Sequence, residues 1–528
     1  MQLRALGIAV GLVACGDSKA VPDAPPVVVD AAPDASPFHA TVTGAITTLQ
    51  SANGPGGAPV VTTGTPDVTT IHLGVSRDDG TLEPVLVASD GTFHFGVAAA
   101  GDPYDFVLAI DGQSPKNYQS RAASLEIALL GAGHVPRAPV ASDVVVKAVF
   151  DNWVPGDTAV LQTTGLWTDT DAPFVTNPAP NQTEPWAFQW RWAGVTSLSG
   201  ALGLLDAAQH DVLAIGAWHL DAAKGYEAMT GALVHSDVTM ASGTNLPFGA
   251  DDAPIQVPAL PQRCVHVVAP RGGELARIES AVPDAYTKGQ TEWALMSPAG
   301  DGIGPLAAQD LAVGRETIVG SGAGAGAGSD ADLTASFGAP FGGSKLLVSV
   351  AAHPIRVIHA APADDGVALR AGTQTWAEVD MPVGCAPSPA AAEVLPAVAV
   401  PSIPALDGVR LDTDDRADLI HGDGAPDVTV TWTQAGSGVA DEYVVNLVHV
   451  TGDGTNAPTL ETVRSVFTTG TTARFPYADM ASDGVYLVEV FARQGFPGAA
   501  TGDFATIAFP FANAVTISHT FHTPGIPI

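Results

Sequence analysis

The heptapeptide Trp186-Ala187-Phe188-Gln189-Trp190-Arg191-Trp192 carries the densest cluster of large aromatic side chains in the chain. In a strand, alternate residues share a face. Trp186, Phe188, Trp190 and Trp192 then line one side. Exposed, such a strip is a platform for a sugar ring or a peptide side chain of a cell-surface partner. Packed against another sheet, it is core, since each ring buries roughly 150–250 Å². Both readings stand on sequence. The run Leu411-Asp-Thr-Asp-Asp-Arg-Ala-Asp418 poses a second question. Calcium is commonly held by Asp oxygens in irregular loops, which makes Asp412, Asp414, Asp415 and Asp418 candidate Ca²⁺ ligands. The run lacks the Gly and terminal Glu of an EF-hand loop, and Arg416 competes for the carboxylates, so a solvated turn is the rival reading. His519 and His522 fall on opposite faces of a strand. His-Glu-x-x-His and the Gly-x-Ser-x-Gly elbow are absent, and the Gly320–Gly328 run has no Walker Lys. No catalytic residue is assigned, and beyond calcium no cofactor is expected.

Cysteine chemistry is better defined. Arg4 precedes an uncharged, mostly apolar run, Ala5 to Ala14. That run is too short to span a ~30 Å hydrocarbon core and has the length of a signal-peptide apolar region. It ends in Leu12-Val13-Ala14-Cys15, which resembles a lipobox, the cleavage and acylation signal of bacterial lipoproteins. The resemblance implies that Cys15 becomes the first mature residue and carries the lipid. Cys264 and Cys385 remain. In an oxidising envelope they can pair, or each can be a separately buried thiol. A bond between them closes a loop of roughly 120 residues, worth nearly 5 kcal/mol in the chain-entropy model.

Residues 16–37 are rich in Pro, Ala and Asp and lack aromatics, so they cannot bury enough apolar surface to order themselves. At ~3.1 Å per residue such a tether reaches roughly 70 Å. The chain holds 528 residues, 46% of them hydrophobic, with 55 acidic against 22 basic residues and a net charge of −33. That balance excludes nucleic acid, which needs basic surface. It equally excludes charge-driven binding to anionic lipid.

Most apolar runs are four to eight residues long, Val/Thr/Ile-rich and bounded by Gly, Pro, Asn or Asp, which is the pattern of strands joined by turns. The expected fold is all-β: tandem β-sandwich domains after a lipoprotein signal (1–15) and a disordered tether (16–37). The best helical segments are Ser199–Gln209 and Leu220–Met229. Residues 38–112 contain Thr41-Val42-Thr43-Gly44-Ala45-Ile46, Ser89-Asp90-Gly91-Thr92-Phe93 and Tyr104-Asp105-Phe106, with a hairpin signal at Asp90-Gly91. Together these resemble the carboxypeptidase regulatory-like domain, a small transthyretin-like sandwich; the resemblance implies structure and no catalytic residue. Residues 400–528 contain Asp427-Val-Thr-Val-Thr-Trp432, Thr472 to Tyr477 and Asp483 to Ala492. That order resembles a fibronectin type III-like domain, with Tyr486 at the corner position at the start of a late strand. Residues 113–399 are β-rich and unassigned, with breaks expected in the Gly320–Gly328 loop or at Pro254–Pro261. The expectation is a lipoprotein anchored in the cell envelope, in the outer membrane, with a binding, adhesive or structural role. Alternatives are a hydrolase in the middle region or a carbohydrate-binding surface protein.

Overall fold

Short apolar runs become strands throughout. The computed structural model describes residues 38–130, 138–163, 187–269 and 428–523, with short internal gaps, and separate strands between 286 and 419; residues 1–37 lie outside it. The fold is all-β. Among the described residues there is no α-helix, only 3₁₀ turns, and no helix long and apolar enough to cross a membrane.

The first unit comprises β1 (Ala40–Asn53), β2 (Pro59–Gly64), β3 (Ile71–Ser76), β4 (Leu82–Val85), β5 (Thr92–Val97), β6 (Tyr104–Ile110), β7 (Lys116–Ser120) and β8 (Ser124–Leu130). β1 pairs antiparallel with β2 and β5 and parallel with β8. The facing sheet runs β4-β3-β6-β7. Period-2 alternation buries Phe93, Phe95 and Val97 of β5, where Phe106 stacks at 4.7 Å on Phe93 and 5.5 Å on Phe95. The Asp90-Gly91 turn needs its glycine: φ is +86°, and a Cβ would stand 2.4 Å from the Ile46 carbonyl oxygen. Strands β7 and β8 lie beyond Gly112, so the unit continues to Leu130 rather than closing at the turn after β6.

The middle region opens with β9 (Val145–Phe150), β10 (Thr158–Thr163), β11 (Ala187–Arg191), β12 (Thr196–Ser197), β13 (Gly200–Ala201), β14 (Leu213–Asp221), β15 (Tyr226–His235), β16 (Ile255–Val257) and β17 (Gln262–Ala269). β11-β9-β16 and β10-β14-β15 enclose a core that includes Val146, Ala148, Leu161, Trp192, Ile215 and Val257. The fold departs from three sequence expectations in this region. Leu220–Met229 is not helical: Gly225, at φ +75°, turns the chain so that β14 and β15 pair as a hairpin. Most of both strands is buried, and their pairing overrides weak local helix propensity. Ser199–Gln209 keeps only a 3₁₀ turn at Ala207–Gln209, capped by Asp206. Pro254–Pro261 is no boundary, because β16 lies within it and pairs parallel with β9.

Further strands are β18 (Tyr286–Pro298), β19 (Glu316–Ala323), β20 (Ala331–Gly338), β21 (Lys345–Ile358), β22 (Val367–Arg370), β23 (Gly372–Asp380), β24 (Val400–Ser402), β25 (Leu406–Asp407), β26 (Val409–Leu411) and β27 (Ala417–Leu419). The Gly/Ala run expected as a loop begins inside β19, where Gly320 and Gly322 pair with β18 on one side and β15 on the other. Ladder bonds on both edges hold glycines that composition alone assigns to a loop; residues 324–328 lie outside the described set.

The last unit contains β28 (Val428–Thr431), β29 (Thr433–Ala435), β30 (Glu442–Thr451), β31 (Thr459–Thr468), β32 (Thr472–Phe475), β33 (Val485–Gln494), β34 (Phe511–Ile517) and β35 (Phe521–His522). Tyr443, Val445 and Leu447 of β30 face a core with Trp432, Phe475, Tyr486 and Phe521. Val444, Val448 and Val450 face a second core with Leu487, Phe491 and Ile517. The near-continuous apolar run of β30 is what burial on both faces requires.

The two ends of the chain do not stand apart. β7 pairs parallel with β31, Lys116 to Gln119 opposite Ser465 to Thr468. A path of backbone pairing therefore runs β4-β3-β6-β7-β31-β30-β33-β34, and continues through β23, β21, β18, β19, β15 and β14 to β10. The segment between β33 and β34 reaches into the first unit: its Phe496, Ala499 and Phe504, with Phe511 at the start of β34, belong to the same buried cluster as Phe93 and Phe106.

Candidate functional site

The aromatic strip does not form one exposed platform. Trp192 is fully buried, its indole N–H donating to the Gly203 carbonyl at 2.9 Å. Phe188 and Trp190 occupy β11 in register with Ala148 and Val146, both buried. Trp186 lies outside the described residues. Core is thus the outcome at Trp192, and sheet-on-sheet packing is the physical reason.

Asp412, Asp414 and Asp415 also lie outside the described residues. Asp418 sits on β27, in register with Arg410 and His522. Among the described residues, no three His, Cys, Asp or Glu side chains converge on a metal position. Cys264, on β17, is disulfide-bonded. The chain has three cysteines, so its partner is Cys15 or Cys385, neither of which is among the described residues.

In the middle region a carboxylate holds His219. His219 Nδ1 lies 2.7 Å from Asp157 Oδ1, and Asp157 Oδ2 accepts from the Val154 amide at 3.0 Å. Nucleophilic catalysis would need a hydroxyl or thiol bonded to the free ring nitrogen, and among the described residues none is bonded to His219. The pair staples the β9–β10 turn to β14.

The most elaborate polar construction is the seam between the first and last units. Arg464 of β31 grips Asp479 through two nitrogens, one at 2.8 Å. It also donates to Asn117 Oδ1 of β7 at 2.6 Å, and Asn117 donates to Asp105 of β6 at 3.3 Å. Ser114 Oγ donates to the Thr462 carbonyl. Burial holds the Asp105 carboxyl above its ordinary range, against the opposing pull of Asn117 and Arg464. Around this network Tyr118 is 3% exposed, stacks on Phe467 at 4.8 Å and meets Phe504 edge-on at 5.4 Å.

A second polar group fixes the segment 495–511. Asp441 Oδ2 accepts from the Gly495 and Phe496 amides at 2.8 and 3.0 Å. Arg493 Nη1 lies 3.0 Å from the buried Glu442, and its guanidinium covers the Phe496 ring at 4.1 Å. Burial pushes the Glu442 carboxyl up to about 7, although Arg493 pulls the other way. At the far end, the Glu126 amide donates to Gly502 at 2.9 Å and Phe504 donates back to Glu126 at 3.0 Å. This covers the outer edge of β8. The Glu126 carboxyl is raised by burial and by the neighbouring Asp503.

No family model and no curated protein matches the chain. A solved tetra-tandem repeat from the extending region of a large adhesion protein aligns with 91% of this chain and 99% of its own length, at 11% identity and a TM-score of 0.12. A score that low carries no argument.

Sequence reading missed the seam entirely. Arg464 and Arg493 are two of only 22 basic residues, and each sits in a mainly apolar or neutral strand run with a single acid, Glu461 in β31 and Glu489 in β33. That scarcity is the signal, since a base within such a run needs a buried acid. Arg464 meets Asp479, 15 residues on, and Arg493 meets Glu442, 51 residues back; the reach across more than three hundred residues is from Arg464 to Asn117, and tertiary pairing alone decides it.

Proposed function

We propose that the chain is an extracytoplasmic lipoprotein of the cell envelope, lodged in the outer membrane, with a binding, adhesive or structural role. Cys15 carries the lipid, residues 16–37 form the tether, and the β units make the exposed body. The observation that carries this reading is the order Arg4, apolar Ala5 to Ala14, then Leu-Val-Ala-Cys15. Several acyl chains, each methylene contributing ~0.8 kcal/mol, anchor such a body firmly. A disulfide at Cys264 supports an oxidising compartment; with Cys15 acylated, Cys385 is its partner. The first unit is read as carboxypeptidase regulatory-like and the last as fibronectin type III-like. For the latter, Trp432 supports the reading as a buried core residue, and Tyr486 does so through its hydroxyl, which accepts from the Ala481 amide at 2.6 Å at the start of β33. The partner fitting such a surface is a cell-surface protein or glycan.

Growth with a clickable fatty acid tests the anchor. The wild-type chain should take the label and fractionate with membranes, whereas Cys15→Ser should be unlabelled and released. Non-reducing peptide mapping of the labelled protein should find Cys264 joined to Cys385. An unlabelled wild-type chain free in the medium or cytosol would overturn the proposal.

A further inference from the structure

We propose that the seam between the first and last β units is a pH-responsive latch, docked most tightly in acid and loosened as the carboxylates beneath segment 495–511 ionise. The geometry is that of a plug held by acids. Phe496, Ala499 and Phe504 fill the first unit's core from a segment that belongs to the last. Its near end is held by Asp441 and by the Glu442–Arg493–Phe496 stack. Its far end places Asp503 beside Glu126 of β8.

The charges facing these two glutamates explain the direction. Glu442 faces Arg493 of β33, Asp441 on its own approach and the buried Tyr118 of β7. The single cation is thus set against two acids and shared with an aromatic ring. Glu126 faces the acid Asp503. Ionising Glu442 places a charge where water is scarce, and ionising the partly exposed Glu126 sets it against Asp503; both costs are borne only when the seam is shut. Opening the seam hydrates both. For each, the folded value lies above the unfolded one. Their stabilising contribution is therefore complete below about pH 4.5 and is lost as pH rises toward about 7 for Glu442. The third seam carboxyl, Asp105, follows the same sign with Asn117, Gln119 and Arg464 around it.

Amide exchange on the full-length protein at about pH 5 and about pH 8, corrected for intrinsic rates, tests the latch. Protection of the β7 and β31 amides, Asn117 to Gln119 and Val466 to Thr468, should fall roughly tenfold or more between the two. Protection in β3 and β5 of the first unit should change far less. Glu442→Gln and Glu126→Gln, examined separately, should each reduce that fall, and the separate variants guard against one failing to fold. Seam protection that does not vary with pH overturns the proposal. So does a wild-type slope retained in both variants, or an equal loss in β3 and β5, which would assign the effect to global unfolding.

Discussion

Replacing Tyr118 by alanine is expected to destabilise the first and last units together, by about 3–5 kcal/mol. Tyr118 sits at 3% exposure between Phe467 and Phe504, with ring centroids at 4.8 and 5.4 Å. Both partners come from the last unit. Truncation leaves a cavity lined by residues more than three hundred positions apart, and neither unit can collapse into it without shifting the β7–β31 ladder. Tyr118→Phe keeps the ring and is expected to cost far less. Urea unfolding, followed by exchange in both units, checks this. A loss confined to one unit would mean that the contact is incidental.

Gly502→Ala should produce an effect of similar size by a different route. Gly502 ends the 3₁₀ turn at φ +89°, and a Cβ there would stand 2.0 Å from the Ser124 carbonyl oxygen. The left-handed backbone costs a non-glycine residue roughly 1–2 kcal/mol. The clash is with backbone rather than a flexible side chain, so overpacking adds about 1–3 kcal/mol more. Because Gly502 O accepts from the Glu126 amide at 2.9 Å, relief of the clash pulls the plug off β8. Thermal denaturation of the two variants should therefore agree in sign. Gly101→Ala is a control for the backbone term alone, with φ +85° and nothing within 4 Å of the added atom.

Local structure was largely legible in the sequence. The Asp90-Gly91 step marked a turn, and short Val/Thr/Ile-rich runs bounded by Gly, Pro, Asn or Asp marked the strands. Legibility failed where long-range pairing decided. Leu220–Met229 has helix-favouring residues, yet hairpin burial turned it into two strands. Gly320 and Gly322 look like a linker and are held in a ladder by two neighbours. The boundary at 112 followed a turn signal, whereas β7 and β8 join the unit through parallel and antiparallel partners that no local pattern specifies. Trp192 could be read either way from period-2 spacing, because alternation gives a face and does not say whether another sheet covers it. The seam carboxylates were invisible among 55 acids, since only their burial sets them apart.

The claim on which the structural account rests is that residues 38–130 are incomplete without the last unit. The direct test is the thermal unfolding of a fragment spanning residues 38–130, alone and mixed with residues 400–528. The expected result is no cooperative transition for the fragment alone, because the places of Phe496, Ala499 and Phe504 are vacant and the edges of β7 and β8 are bare. A transition should return on mixing. A sharp transition by the isolated fragment, with native exchange protection from Tyr104 to Leu130, would contradict it.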